Sequence, residues 1–349
     1  MNKTILKTVI AIAVLAGLAV VPRFVESPYA LHMMILLFLS VSQGQSWNIL
    51  GGYAGQHSVG HAAYFGVGAY TTMMLLQAKG IAPWVGVWAG VAIVIVVALV
   101  IGSICFRLRG PYFVLASIAV AEIMRLMAIN LTTLTNGAEG ILVTELPAFK
   151  VGERVITDFM TKVPFYYIGL ALALITILIT LWIQHSKVGY YFQAIREDQD
   201  AAHSLGIHIA LYKNVGLVIS AVLTSLAGAF YGIYVGFVDP PTVLGLDVSV
   251  QIMLICIIGG MGTLWGPLLG SLILVPLSEA LRSNLFTETL VKVGLVQADS
   301  RVGLFLKENL SHAHVLIYGL LVVLVILFMP DGLMGFIKKL MKRWKREAV

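Results

Sequence analysis

Residues 84–106 read WVGVWAGVAIVIVVALVIGSICF, twenty-three consecutive positions without a charged side chain. An α-helix rises 1.5 Å per residue, so about 20 such residues cross the roughly 30 Å hydrocarbon core of a bilayer. Apolar residues occupy every face of this segment and do not form a stripe, as expected for a helix surrounded by lipid and by other helices. Arg107 and Arg109 follow at once and mark where the segment meets water.

The rest of the chain repeats the pattern. Of its 349 residues 59% are hydrophobic and 11% charged, with a mean hydropathy of +0.93; soluble domains carry roughly 25% charged residues. Further spans are predicted at 8–22, 29–49, 54–77, 111–130, 165–184, 214–237 and 313–329. The stretch 248–277 differs. Its apolar halves, Val248 to Ile258 and Leu268 to Leu277, are each short for a span and are separated by GGMGTLWGP at 259–267. That pattern predicts a re-entrant or broken-helix element, because irregular backbone survives at membrane depth only where protein or a watery cavity satisfies it. Whether the stretch spans or re-enters stays open. The expected fold is an all-α polytopic bundle of about eight spans plus this element, forming a single transmembrane domain over 1–349.

Short loops rich in Lys and Arg remain in the cytoplasm. Starting inside with Lys3 and Lys7, parity places Arg107, Arg109, the loop 185–213 and the tail 338–349 on the cytoplasmic side. The longer loops 131–164 and 278–312 fall outside. Lys338, Lys339, Lys342, Arg343, Lys345 and Arg346 crowd the tail. Next to an apolar segment this reads as a headgroup-facing end, with no nucleic-acid partner. Thr8 to Val21 could pass for a secretory signal, but no clear small-x-small cleavage site follows before Pro22 and Arg23, so a retained first span is expected. Cys105 and Cys256 lie in apolar runs, without disulfide or zinc spacing, and read as packing residues.

Within the loop 185–213, helix formers run from Tyr191 to Leu205 and Gly206 stands where a helix C-terminal glycine belongs. One surface helix and a turn are expected, with small Ala201 and Ala202 allowing a partner's groove to approach. Asp200, Ala201, Ala202 and Gly206 are similar to the EAA-x-x-x-G coupling pattern of ABC-importer membrane subunits, with Asp in place of the usual Glu. The wider AIREDQDAAHSLGI at 194–207 resembles permeases of the branched-chain amino acid transport family, in particular its LivM-like branch. So do GGYAGQHSVGHAAYFGVGAY at 51–70, LRGPYFVLASIAVAEIMRL at 108–126, TNGAEGI at 135–141 and IIGGMGTLWGPLLGS at 257–271. The resemblance covers roughly residues 30 to 330.

That resemblance implies an inner-membrane importer subunit, with ATPase subunits, a second identical or homologous permease subunit and a periplasmic or extracellular substrate-binding protein as partners. It implies ATPase coupling through Arg196, Glu197, Asp198, Asp200, Ala201, Ala202 and Gly206. The substrate expected from it is a branched-chain or related amino acid, although an apolar path alone does not separate leucine from urea or short amides. The sequence contains no G-x-x-x-x-G-K-[ST] phosphate loop, so another polypeptide is expected to hydrolyse any ATP, and no cofactor is expected.

Gly51, Gly52, Gly55, Gly60, Gly66 and Gly68 fall in or beside one span. They read as close helix packing, as a broken helix whose amides line a path with Gln56, Ser58 and His61, or as both. Gly259, Gly260, Gly262 and Thr263 are the matching path candidates in the second glycine-rich segment. On a continuous helix His57 and His61 would share a face, yet two ligands are too few for a metal site and none is expected. Glu122 and Arg125, three apart near the middle of a span, are expected to pair and to face other helices, since lone charges are costly there. Asn136 and Gly137 form a turn that a binding protein could dock on, and Asp239, Pro240 and Pro241 are expected to stop the preceding span. A secondary transporter would need coupling carboxylates in paired repeats, whereas Glu122 is the one deeply placed acid; an intramembrane enzyme would need a catalytic constellation, and none is seen.

Overall fold

The computed structural model describes residues 3–25, 27–79, 82–143, 149–151, 154–157, 161–282 and 332–347, with 319, 320, 323 and 327. The predicted loop 278–312 and span 313–329 therefore fall largely outside the described residues. The architecture is an all-α membrane bundle. Helices α1 (Lys3–Phe24), α2 (Pro28–Asn48), α3 (His61–Lys79), α4 (Pro83–Cys105), α5 (Pro111–Asn130), α7 (Lys162–His185) and α10 (Ile209–Val235) form its body. Short α6 (Thr132–Thr135) follows α5, and α8 (Lys187–Glu197) and α9 (Gln199–Ser204) form the 185–213 loop. Next come α11 (Pro240–Leu244), α12 (Leu246–Gly259) and α13 (Gly266–Arg282), and a terminal helix covers Gly332–Glu347. Strands are minor: Ile141–Leu142 pairs antiparallel with Phe237–Val238, and Phe149–Val151 with Arg154–Thr157.

Position in the bundle follows polarity. Only 33% and 22% of the apolar windows of α4 and α5 are buried, against 67% for α10. The outer surface bears Trp88, Val96, Ile104, Leu115, Leu178 and Trp182, all exposed and apolar, as a lipid-facing wall should be. By contrast α2 buries Ser40, Ser42, Gln45, Ser46 and Asn48 and packs against α7, α10, α12 and α13. Ser42 and Ser46 return their hydroxyls to the carbonyls of Phe38 and Ser42, at 2.9 and 2.6 Å, which satisfies them inside the helix. Close backbone approach binds α3 to α10: a Cβ at Gly228 would stand 1.9 Å from the Phe65 carbonyl oxygen, and one at Gly68 would stand 2.2 Å from that of Ser225. Both cysteines are buried and free, and Cys256 donates to the Gly44 carbonyl at 2.9 Å.

The loops sort onto two ends. One end gathers the 49–60 turn, Arg109, α8, α9, the 260–265 loop and Gly332, whose Cβ would lie 2.7 Å from the Gly260 Cα. The other gathers Pro28 with Lys162, His32 with Tyr234, and the Ile141–Val238 strand pair. For Arg109, the loop 185–213 and the Ile141 strand this agrees with the sorting that charge parity predicts, while most of the loop 278–312 lies outside the described residues.

Several expectations need correction. The span predicted at 54–77 starts its helix at His61; α2 instead runs through a π-helical turn at Ile49–Tyr53, and residues 54–60 are irregular. The Trp47 ring fills the space beside Gly51, and Gly55 takes φ +67, so the chain breaks where glycine permits it. Pro240 and Pro241 do not end α10. That helix stops at Gly236 in the left-handed region (φ 76), and the prolines open α11. The first half of the 248–277 element is also longer than its apolar run suggested, because α11 joins α12 to make Pro240–Gly259, 20 residues and apolar enough to cross.

Candidate functional site

The site is built from α8 and α9 upward. Ser186 caps α8, accepting from the Gly189 amide at 3.3 Å. The single surface helix expected from Tyr191 to Leu205 is split at Asp198, whose extended backbone ends α8 and whose Oδ1 accepts from the amides of Asp200 (2.9 Å) and Ala201 (3.0 Å) to start α9. An aspartate with free amides two and three residues on is a strong N-cap, and that cue was present in EDQDAA. Gly206 takes φ +83, the predicted C-terminal role. Ala202 is 2% exposed and so packs within the chain itself, while Ala201 is exposed.

Arg196 joins this segment to both glycine-rich loops. Its Nη1 donates to the Gly52 carbonyl at 3.1 Å, while Nε and Nη2 donate to Glu197 Oε1 at 3.2 and 2.8 Å. A Cβ at Gly55 would meet Arg196 Cγ at 2.7 Å, and one at Gly262 (φ +68) would meet its Nη1 at 2.8 Å. Three separately predicted groups thus converge on one guanidinium. Lys213, 1% exposed, adds a second tie by donating to Gln199 Oε1 at 2.9 Å and sitting 5.8 Å from the Phe106 ring centroid. The Arg109–Asp200 pair at 3.0 Å is largely exposed and contributes little.

The amides that hold the second loop were missed in the sequence. Asn48 Oδ1 accepts from the Gly262 amide at 2.8 Å while its Nδ2 donates to the Thr263 carbonyl at 2.9 Å, and Gln45 Nε2 donates to the Leu264 carbonyl at 2.6 Å. The signal was the run SQGQSWN at 42–48, too polar for lipid contact. Within the loop, Thr263 Oγ1 donates to the Gly260 carbonyl and accepts from the Gly266 amide, at 2.8 and 3.0 Å. Gly259 permits the α12–α13 contact, since its Cβ would fall 1.8 Å from the Gly266 carbonyl oxygen.

Gly55, Gln56 and His57 line a cavity of about 500 Å³ with Gly110, Phe113 and Gln199. Ser58 and His61 lie behind it. The Ser58 carbonyl accepts from Trp47 Nε1 at 2.7 Å, and His61 Nε2 meets Ser220 Oγ at 2.7 Å, which in turn donates to the Ser46 carbonyl at 2.6 Å. His57 precedes α3 and stacks on Trp47, so it does not share a helix face with buried His61. A second groove of about 660 Å³, beside α9, is lined by Arg109, His203, His208, Ile209, Ala210 and Leu211.

Glu122 and Arg125 pair as expected, at 2.9 and 2.5 Å. Their placement differs from expectation. The two side chains are 45% and 27% exposed, so among the described residues no helix fully encloses them. At the opposite end Asn136 (φ 61) donates through Nδ2 to the Gly140 carbonyl at 2.8 Å, and Gly137 is buried in the same turn.

Helices with a lipid-facing wall, a polar buried centre and a glycine-broken helix tied to a surface helical hairpin define a multi-pass membrane protein of the transport class. Comparison with known proteins sharpens this: residues 27–326 match the family described as branched-chain amino acid transport system, permease component, and the chain belongs to that family. It is 25% identical over 283 residues to the high-affinity branched-chain amino acid transport system permease protein LivM of Escherichia coli, an alignment covering 76% of this chain and 66% of LivM. It is 26% identical over 329 residues to LivH of the same organism, covering 87% of this chain and 96% of LivH. BraD of Pseudomonas aeruginosa is 26% identical over 180 residues, half of each chain. The chain thus spans just under two thirds of LivM's length and nearly all of LivH's. No solved structure matches. Its relatives are membrane permease subunits and not enzymes.

Proposed function

We propose that this chain is the membrane-spanning subunit of an importer for branched-chain or related amino acids, driven by ATP hydrolysed on a separate subunit. The observation that carries the proposal is the Arg196 tie: a movement imposed on α8 and α9 is transmitted through one side chain to the Gly52–Gly55 turn and the Gly262 loop. An ATPase subunit docks on α9 and its groove, where Glu197, Asp200, Ala201 and Gly206 are exposed. Asp198 keeps the docking helix in shape. Gly55, Gln56, Gly260, Gly262 and Thr263 border the inner end of the path, and Ser58 and His61 support its wall. Charge parity puts this end, both termini and the loop 185–213 in the cytoplasm, with the chain in the inner membrane as one transmembrane domain.

Further partners follow from exposed surfaces. The open face of α5 with Glu122 and Arg125 is covered by a second permease subunit, because a charged pair at mid-helix is poorly served by lipid. A substrate-binding protein docks at the opposite end, beside Asn136 and Gly137. The terminal helix exposes Phe336, Ile337, Leu340 and Met341 and carries a basic tail over 338–349, a pattern suited to anionic headgroups. Co-purification from detergent extract with mass identification of partners tests the reading. An ATPase subunit whose activity rises with loaded binding protein is expected; a chain that transports alone would overturn it.

A further inference from the structure

The terminal helix Gly332–Glu347 has 16 residues, a length of about 24 Å at 1.5 Å per residue. With six Lys and Arg among them it is unsuited to crossing hydrocarbon, and it begins just past the span predicted at 313–329, at the level of the headgroups. At 3.6 residues per turn Leu333, Phe336, Ile337, Leu340, Met341 and Trp344 share one side, and Lys338, Lys339, Lys342, Lys345 and Arg346 the other, with Arg343 at the border. The apolar stripe starts inside the bundle and then leaves it. Leu333 packs against Leu254, Ile258 and Leu274 of α12 and α13, whereas Phe336, Ile337, Leu340 and Met341 are between 37% and 54% exposed. A helix of this kind lies in the plane of the membrane surface. An anionic bilayer surface serves both of its sides at once, with acyl chains under the stripe and phosphates around the cations.

The same helix presses on a loop of the site. A Cβ at Gly332 (φ +67) would lie 2.7 Å from the Gly260 Cα and amide nitrogen and from the Ile257 carbonyl oxygen, so backbone meets backbone with no side chain to yield. The Gly260 carbonyl accepts from Thr263 Oγ1 at 2.8 Å. Two residues on, the Gly262 amide is held by Asn48 Oδ1, and a Cβ there would meet Arg196 Nη1. The 260–266 loop is thus gripped from two sides, by α8 through Arg196 and by the terminal helix through Gly332.

We infer that the terminal helix docks on the anionic surface of the bilayer and that this docking fixes the 260–266 loop. A lever needs a fixed end. With the helix held by headgroups, a movement of α8 passes through Arg196 into a loop that resists it; with the helix loose, the loop yields and the movement is lost. Transport then depends on anionic lipid. That last step rests on the importer reading, while the docking and its grip on the loop do not.

The test reconstitutes the purified full chain in vesicles of phosphatidylcholine alone or with about 30% phosphatidylglycerol. An environment-sensitive dye on Leu340→Cys reads contact with the surface, and the maleimide labelling rate of Met261→Cys, at an exposed position, reads the loop. The chain with only its buried Cys105 and Cys256 is the blank. With phosphatidylglycerol the dye should move to an apolar environment and Met261→Cys should label about 3-fold or more slowly, both effects reversing as salt is raised. Lys342→Gln, Arg343→Gln, Lys345→Gln and Arg346→Gln together should remove most of both responses. Leu333→Ala, which frees the first turn from α12 and α13, should keep the dye response and lose the loop response. In the assembled complex, phosphatidylglycerol should raise ATP-driven uptake about 3-fold or more, and the variant with four glutamines should lose that rise. A dye that ignores phosphatidylglycerol, or that shifts only when an ATPase subunit is added, overturns the docking. A dye response with unchanged labelling of Met261→Cys overturns the grip on the loop, and uptake indifferent to the lipid overturns its role in transport while leaving the importer reading. Lipid-dependent dye and labelling signals in a chain without ATP-driven uptake overturn the importer reading but support the docking and the grip.

Discussion

At the residue scale the account turns on side chains whose partners lie far away in sequence. Arg196 bonds to a carbonyl 144 positions earlier, so a shorter or uncharged replacement severs α8 from the Gly52–Gly55 turn. Arg196→Ala should lower ATP-driven uptake about 10-fold or more while leaving the ATPase subunit bound, measured as uptake against co-purification yield. For Glu122 and Arg125 the prediction concerns asymmetry. Glu122→Gln alone leaves a lone cation on α5, whereas Glu122→Gln with Arg125→Gln leaves none, so the single variant should assemble less well than the double one when dimer yield is compared by size-exclusion chromatography. Asn48 and Gln45 show why part of the site was not legible beforehand. Their amides stood out as polar within an apolar run, but nothing in sequence says they reach Gly262, Thr263 and Leu264, because that contact spans more than 200 positions.

At the scale of elements, local signals were reliable where a single turn decides the outcome. Gly206 at a helix end and the glycine break between α12 and α13 were readable because glycine alone adopts those backbone angles easily. Gly206→Ala should cost roughly 1 kcal/mol from its positive φ and meets no steric obstruction; coupled transport should fall while the melting temperature moves only slightly. Gly228→Val is the packing counterpart. Its added carbon atoms collide with the Phe65 carbonyl, so a loss of about 3 kcal/mol or more is expected, visible as loss of monodisperse protein. Reading failed where tertiary contacts or a capping aspartate overrode a run of helix formers, as at residues 54–60 and at Asp198. Hydrophobicity alone could not distinguish a span from a helix broken against its neighbours.

For the whole molecule, hydropathy and charge parity sorted the loops onto two ends, and the contacts between Arg109 and Asp200, and between Arg196 and Gly52, agree with that sorting. Hydropathy was less informative about the interior, because α2 and α3 are the least uniformly apolar of the long helices and lie at its centre. Among the described residues Glu122 and Arg125 on α5 stay partly exposed, and in the proposed assembly a second subunit covers them. Cysteine substitutions at exposed Glu197 and at exposed Asn136 should label from opposite sides of sealed vesicles, whichever way the vesicles are oriented.

The most direct test reconstitutes the chain in proteoliposomes with its ATPase subunits, a second permease subunit and a leucine-loaded binding protein, and follows labelled leucine. Uptake that requires ATP, the ATPase and the binding protein together is the predicted result. Uptake at the same rate by this chain without an ATPase subunit would contradict the account.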